Sequence, residues 1–69
     1  MNFPSRGEVE RMRQRYPKGT KIVVDMMEDP QAVPSGTVGT VSHVDDMNQI
    51  HCKEFGLALI PGVDSFHKI

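Results

Sequence analysis

The chain has 69 residues, enough for a single domain over residues 1–69 but not for an enzyme with separate substrate and cofactor lobes. Its apolar fraction of 38% and charged fraction of 25% are typical of a globular domain and exclude a fully disordered chain. The net charge of −1 is unevenly divided. Residues 1–19 carry five basic and two acidic side chains, a balance of +3, whereas the remaining residues carry three and seven, a balance of −4.

Three further features concern location. No apolar run is long enough for a transmembrane helix, and the N-terminal residues lack the apolar core of a signal peptide. The single cysteine, Cys52, cannot form an internal disulfide, which fits a reducing compartment. We therefore expect a cytoplasmic protein that does not associate with membranes.

An amphipathic helix is predicted over residues 5–16. Ser5 and Glu8 have the spacing of a capping box, in which each side chain accepts a hydrogen bond from the other residue's backbone N–H. Pro17 disfavours helical angles at the residue before it, so the helix should end there. Its apolar residues recur every three or four positions and form one stripe: Val9, Met12 and Tyr16. A helix this short is marginal alone in water, so we expect the stripe to pack on the rest of the domain.

Residues 20–26 predict the first strand, in which Ile22, Val24 and Met26 alternate with the residues between them and point inward. The following loop, residues 27–35, contains two prolines that cannot donate to a strand ladder. At about nine residues it is long for so small a domain, and long loops often have a function of their own.

Residues 37–44 predict the second strand, which is rich in valine and threonine. Its valines are spaced by three rather than two, so one face cannot bury them all unless a bulge or strong bend lies near Gly39 or Val41. Residues 45–48 should reverse the chain, because aspartate and asparagine side chains bind their own backbone and tolerate left-handed angles. The third strand, residues 49–53, should point Ile50 and Cys52 inward.

The last part of the chain predicts two more short strands. Gly56 marks a reversal, after which Leu57 and Leu59 continue the buried set. Residues 60–64 form a tight turn, and residues 65–69 form the closing strand, with Phe66 and Ile69 buried. This order of short strands, one long loop and tight turns is similar to an SH3-like barrel. The expected fold is mainly β: one N-terminal α-helix, then a small five-stranded SH3-like barrel over residues 20–69.

Several segments also resemble a known family. They are YPKGT (16–20), DPQA (29–32), GTVGTV (36–41), VDD (44–46) and LALIPGVDSF (57–66). In this order they are similar to the domain of unknown function 4314, over nearly the whole chain. The resemblance implies a short protein of Firmicutes, their phages or their mobile elements, and no defined activity. Such proteins usually have a Trp-acidic-Asn-Gly type of turn between the third and fourth strands. Here the turn is KEFG (53–56), which makes Phe55 the candidate replacement for the tryptophan.

The sequence contains no catalytic or cofactor motif: nucleophile motifs, glycine-rich phosphate loops and HExxH patterns are absent. Four side chains suggest a metal by type alone: His43, His51, His67 and Cys52. Neighbours in a strand point to opposite faces, and no paired metal-ligand spacing occurs, so we expect solvated strand histidines. Turn capping accounts for Asp45 and Asp46 better than a calcium site does. We therefore expect no enzyme, no cofactor, no metal and no small-molecule substrate.

A protein partner is the leading functional hypothesis. Small barrels bind partners through the loop after the first strand, the turn between the second and third strands, and exposed edges. In this chain those places offer the following residues: Pro30, Val33, Pro34, Met47 and Phe55. The alternative for each is packing onto its own barrel. The family resemblance would make the partner a host factor.

Nucleic acid is the second hypothesis. Five basic residues in the N-terminal region offer contacts to phosphates: Arg6, Arg11, Arg13, Arg15 and Lys18. Their charges are spread around the helix and diluted by Glu8 and Glu10, so an ordinary solvated helix face is favoured over a nucleic-acid interface.

Overall fold

The computed structural model of the protein describes residues 5–28 and 32–69, which form one α-helix and one antiparallel sheet of five strands. The elements are α1 (Arg6–Arg15), β1 (Lys21–Met26), β2 (Val38–Val44), β3 (Ile50–Cys52), β4 (Ala58–Leu59) and β5 (Ser65–Lys68). The mainly β fold with an N-terminal helix is thus confirmed. No helix of this described part is both long and apolar enough to cross a membrane.

The sheet has the strand order β4-β3-β2-β1-β5 and is open, so the closed SH3-like barrel predicted over residues 20–69 is not confirmed. The two residues of β4 pair with β3, and the turn of residues 60–64 follows before β5 begins. Strand β2 belongs to two ladders, since its first half pairs with β1 and its second half with β3. A register shift between Val41 and His43 confirms the bulge predicted near Gly39 or Val41.

Helix α1 begins and ends close to the predicted positions. The Ser5 hydroxyl accepts from the backbone N–H of Glu8 at 3.1 Å, which is one half of the capping box. Val9 and Tyr16 are buried and Met12 is half-buried, so the apolar stripe packs on the sheet as expected. The core beneath the helix consists chiefly of Ile22, Val24, Val41, Val44, Ile50, Cys52 and Leu59.

Two residues predicted to be buried point outward instead. Met26 is 55% exposed, whereas Met27 is only 8% exposed. The cause is a register shift in the β1–β5 ladder between Val24 and Met26, because one extra residue inverts the alternation that follows it. Ile69 is 70% exposed. With Phe66 turned toward the core, strict alternation directs a residue three positions later to the opposite face.

Candidate protein-binding surface

Apolar side chains lie on the side of β5, β1 and β2 that points away from the core, which we call the outer face. Val23 is opposite Val38 on β2 and opposite His67 on β5, and directly opposed residues share a face. Val38 is 45% exposed. The apolar members of the outer face are Met26, Val23, Val38 and Ile69. Apolar side chains are therefore exposed on β1 and β2 and at Ile69, the residue that follows β5.

Polar side chains lie on the outer face beside these apolar residues. The Lys21 ammonium donates to the Thr40 hydroxyl at 2.6 Å, and that hydroxyl donates to Glu54 at 2.7 Å. The other Glu54 oxygen accepts from the Thr40 backbone N–H at 2.6 Å. Hydrogen bonds from the Thr40 side chain and backbone lower the pKa of Glu54, and Lys21 adds to this effect. His67 Nδ1 lies 2.9 Å from an Asp25 carboxylate oxygen.

Strand β5 forms one edge of the sheet, and within the described ranges β1 is the only strand hydrogen-bonded to it. The backbone N–H of Ile69 donates to the carbonyl of Lys21, whereas the N–H of Val24 points the other way and donates to the carbonyl of Thr37, the residue before β2. Bonding alternates along an antiparallel ladder. The backbone N–H and C=O groups of Phe66 and Lys68 therefore point away from β1, toward the open edge.

A group of aromatic and basic side chains lies beside this edge, which we call the basic corner. The rings of Tyr16 and Phe66 meet edge to face, with centroids 5.6 Å apart. The guanidinium of Arg15 lies 5.7 Å from the centroid of the Tyr16 ring, and the ammonium of Lys68 lies 5.1 Å from it. Both cations are held at the same buried ring by cation–π attraction. Positive charge is therefore fixed at the end of β5.

The basic residues proposed for nucleic acid do not form one face. Arg13 donates to the carbonyl of Val44 and to the Asp46 carboxylate, both at 3.1 Å, so it fastens α1 to the β2–β3 turn. Successive helix residues turn by about 100°, which directs Arg11 and Arg13 to nearly opposite sides. Arg6 and Arg13 line an open cleft of about 470 Å³ with Val9, Glu10 and Asp46. The carboxylates of the cleft balance its arginines, and Lys18 follows the helix in an exposed turn.

The residues predicted for protein binding lie at two ends of β2. Pro34 accepts a hydrogen bond from Thr37 just before β2, whereas Met47 follows the other end of this strand, about 20 Å away. Met47 is 48% exposed. Val33 and Phe55 are half-buried and pack against the core. Pro30 lies outside the described residues.

Phe55 has a structural partner. An ideal Cβ placed on Gly39 would lie 2.8 and 2.9 Å from two atoms of the Phe55 ring and 3.0 Å from Cys52 Sγ. The ring thus fills the space left by the missing side chain of Gly39. This packing is the alternative that the sequence left open for Phe55.

The acidic turn and the histidines have structural roles as well. One Asp45 carboxylate oxygen accepts from the backbone N–H groups of Met47 and Gln49, at 3.0 and 2.9 Å, so the predicted turn capping is confirmed. The other lies 2.7 Å from His51 Nε2. The His51 ring stacks on that of His43 with centroids 4.4 Å apart. Cys52 is buried, and burial together with the Glu54 charge raises its pKa to about 11.

No group of three or more His, Cys, Asp or Glu side chains is placed to hold a metal ion in the part of the chain that the structure describes.

The outer face was not predicted from the sequence, because the bulge in β1 decides which residues of that strand point outward. The apolar run of residues 22–27, interrupted only by Asp25, was the available signal. Such a run exceeds what one face of a strand can bury.

A helix-capped, open five-stranded sheet with apolar residues on its outer face defines a small, mainly β domain. The chain belongs to the family described as a domain of unknown function (DUF4314), whose model matches residues 5–69. No curated protein and no solved structure matches the chain.

Proposed function

We propose that this protein is a non-enzymatic, cytoplasmic binding module that recognises another protein through its outer face. The order of the strands, with β2 shared between two ladders, supports an SH3-like arrangement of this module. The expected partner is a host factor if the chain is carried by a phage or mobile element, a part of the proposal that rests on the family resemblance alone.

The observation that carries the proposal is the exposure of apolar side chains on β1, on β2 and at the residue that follows β5. Val38 on β2 is 45% exposed, Met26 on β1 is 55% exposed and Ile69, which follows β5, is 70% exposed. The half-buried Val23 lies on β1, directly opposite Val38. Contact between apolar surfaces releases water and contributes about 25 cal/mol per Å² of buried area. Larger exposed apolar patches are characteristic of interaction sites.

The test is capture of a partner by tagged variants of matched exposure. Val38→Glu places a charge on the outer face, and Met47→Glu changes a side chain of similar exposure, 48% against 45%, at the far end of β2. We expect a nuclease-resistant protein partner that Met47→Glu retains and Val38→Glu loses. With that partner purified, calorimetry should show binding weakened about tenfold or more by Val38→Glu. Equal binding by both folded variants contradicts the proposal.

Nucleic acid is the second candidate, favoured by the two cations held at the Tyr16 ring. In this case Arg15→Glu should abolish a salt-sensitive shift of labelled DNA or RNA, because phosphate contacts release counterions. Arg13→Glu is not a suitable probe, since Arg13 holds the helix to the sheet.

A further inference from the structure

We infer that the open edge of β5 accepts an extended acidic peptide segment, which extends the sheet as a sixth, antiparallel strand beside the basic corner. This inference rests on the proposed function and names the chemistry of the partner. It adds the main chain of that partner to the apolar contacts of the outer face.

The backbone provides the first argument. The N–H and C=O groups of Phe66 and Lys68 point away from β1, as the bonding alternation requires. They form two adjacent sets of donor and acceptor groups with the spacing of a strand ladder. An added peptide satisfies all of them with four hydrogen bonds, as in other cases of strand addition. The opposite edge, β4, has only two residues.

Charge complementarity provides the second argument and selects the peptide. A peptide residue directly opposite Lys68 projects its side chain to the same face as Lys68. There it meets the Lys68 ammonium and the Arg15 guanidinium, both held at the Tyr16 ring. Glutamate or aspartate is therefore favoured at this position.

The neighbouring contact fixes a second position of the peptide. Opposite Phe66, two residues further along an antiparallel peptide, the side chain meets the half-buried Phe66 ring, so an apolar residue is favoured. The structure therefore favours the pattern acidic-x-apolar, read from the N-terminus of the peptide. The residue between them lies opposite His67 and projects to the outer face, where it adjoins the surface of the proposed function.

The probe is the acetylated and amidated peptide Thr-Thr-Glu-Thr-Val-Thr-Thr, titrated into the full ¹⁵N-labelled chain. We expect the amide signals of Phe66 and Lys68 to shift and their hydrogen exchange to slow, because both N–H groups become bonded. A peptide methylated at the glutamate and valine nitrogens cannot donate to the edge carbonyls and should lose binding. A peptide with lysine in place of glutamate should bind about fivefold more weakly or worse.

Variants of the protein test the charge argument without altering the backbone edge. Because Arg15 remains at the Tyr16 ring, Lys68→Glu should abolish the preference for the glutamate peptide over the lysine peptide. Lys53→Glu is the matched control, because Lys53 is also exposed but follows β3, toward the opposite edge of the sheet. It should leave the preference for the glutamate peptide unchanged.

Four outcomes overturn the inference. The first two are equal binding of the N-methylated peptide and amide signal changes centred on the turn of residues 45–48. The third is that an oligothymidylate shifts the same amides and binds more tightly than the peptide. The fourth is that the amides of β5 become protected from hydrogen exchange as the protein concentration rises, with a dimer observed in sedimentation. The last identifies a second copy of the chain as the occupant. If peptide binding fails while Val38→Glu still loses its partner, the proposed function stands and only the edge inference fails.

Discussion

At the scale of single residues, the contact between Gly39 and Phe55 links packing to the question of function. Gly39 has no side chain, and the Phe55 ring occupies the place where a Cβ would stand. The sequence made Phe55 a candidate for partner contacts, and this packing gives the half-buried ring a role in the fold. If the ring is needed for packing, a methyl group added at Gly39 should destabilise the fold; if the ring is free to contact a partner, it should not.

We expect Gly39→Ala to lower the free energy of unfolding by about 1–3 kcal/mol, since the added methyl overlaps the Phe55 ring. Gly56→Ala is the control, because its Cβ would have no neighbour within 4 Å, and it should change stability by less than about 0.5 kcal/mol. Urea denaturation of both variants measures the difference. Equal stabilities would mean that the Phe55 ring is not held in place and is available to a partner.

At the scale of elements, Arg13 joins α1 to the sheet by two bonds of unequal value. Its partner Asp46 is 99% exposed in its side chain, so this ion pair contributes little. The bond from Nε to the carbonyl of Val44 is partly buried and replaces water at the end of β2. Most of the docking contribution of Arg13 should therefore come from this second bond.

Arg13→Ala is expected to destabilise the protein by about 1 kcal/mol, and Asp46→Ala by less than about 0.5 kcal/mol. Arg11→Ala removes an exposed arginine from the same helix and serves as the control. Thermal unfolding followed by circular dichroism compares all three. If Asp46→Ala costs as much as Arg13→Ala, the ion pair and not the carbonyl bond holds the helix.

The carboxyl group of Asp45, in the β2–β3 turn, makes the free energy of unfolding depend on pH. Burial on its own raises the pKa of Asp45, but the hydrogen bonds from His51, Gln49 and Met47 outweigh it and leave the pKa below its ordinary value of 3.8. A carboxyl group with a lowered pKa in the folded state stabilises the fold above its unfolded pKa. This contribution is lost as the pH falls through the folded-state pKa.

Asp45→Asn should therefore cost about 1 kcal/mol at pH 7, a modest value because the side chain is 29% exposed. The difference from the parent chain should shrink as the pH falls below 3.8. Denaturant unfolding across this range measures it, with Asp46→Asn as the solvent-exposed control. A difference that stays constant with pH would show that the carboxylate charge has no role in the turn.

At the scale of the whole molecule, the order of the elements follows from local chemistry. The Ser5 cap, Pro17 and the valine-rich segments each act over a few residues, so the helix and all five strands could be predicted from the sequence. The capping role of Asp45 was predictable for the same reason. Closure of the sheet was not, because it depends on how edges far apart in sequence meet.

Which residues of each strand point toward the core was also not fully predictable from the local sequence. A bulge in β2 was predictable from valines spaced by three, but the one in β1 requires knowledge of the partner β5. The position of Met26, and with it the outer face, depends on that pairing. The structural role of Arg13 was likewise not predictable, because its bond to the carbonyl of Val44 joins residues far apart in the sequence.

The register shift in β1 leaves two chemically identical neighbours in opposite surroundings. Met26 is 55% exposed and Met27 8% exposed, so dilute peroxide should convert the Met26 thioether to its sulfoxide much faster than that of Met27. Peptide mass spectrometry over a time course resolves the two, and equal rates would place both thioethers in solvent. With the oxidation rate of Met26 as the internal reference, the oxidation rate of Met27 reports how often the core opens. Two adjacent methionines on one peptide thus provide an internal measure of transient solvent exposure in the core.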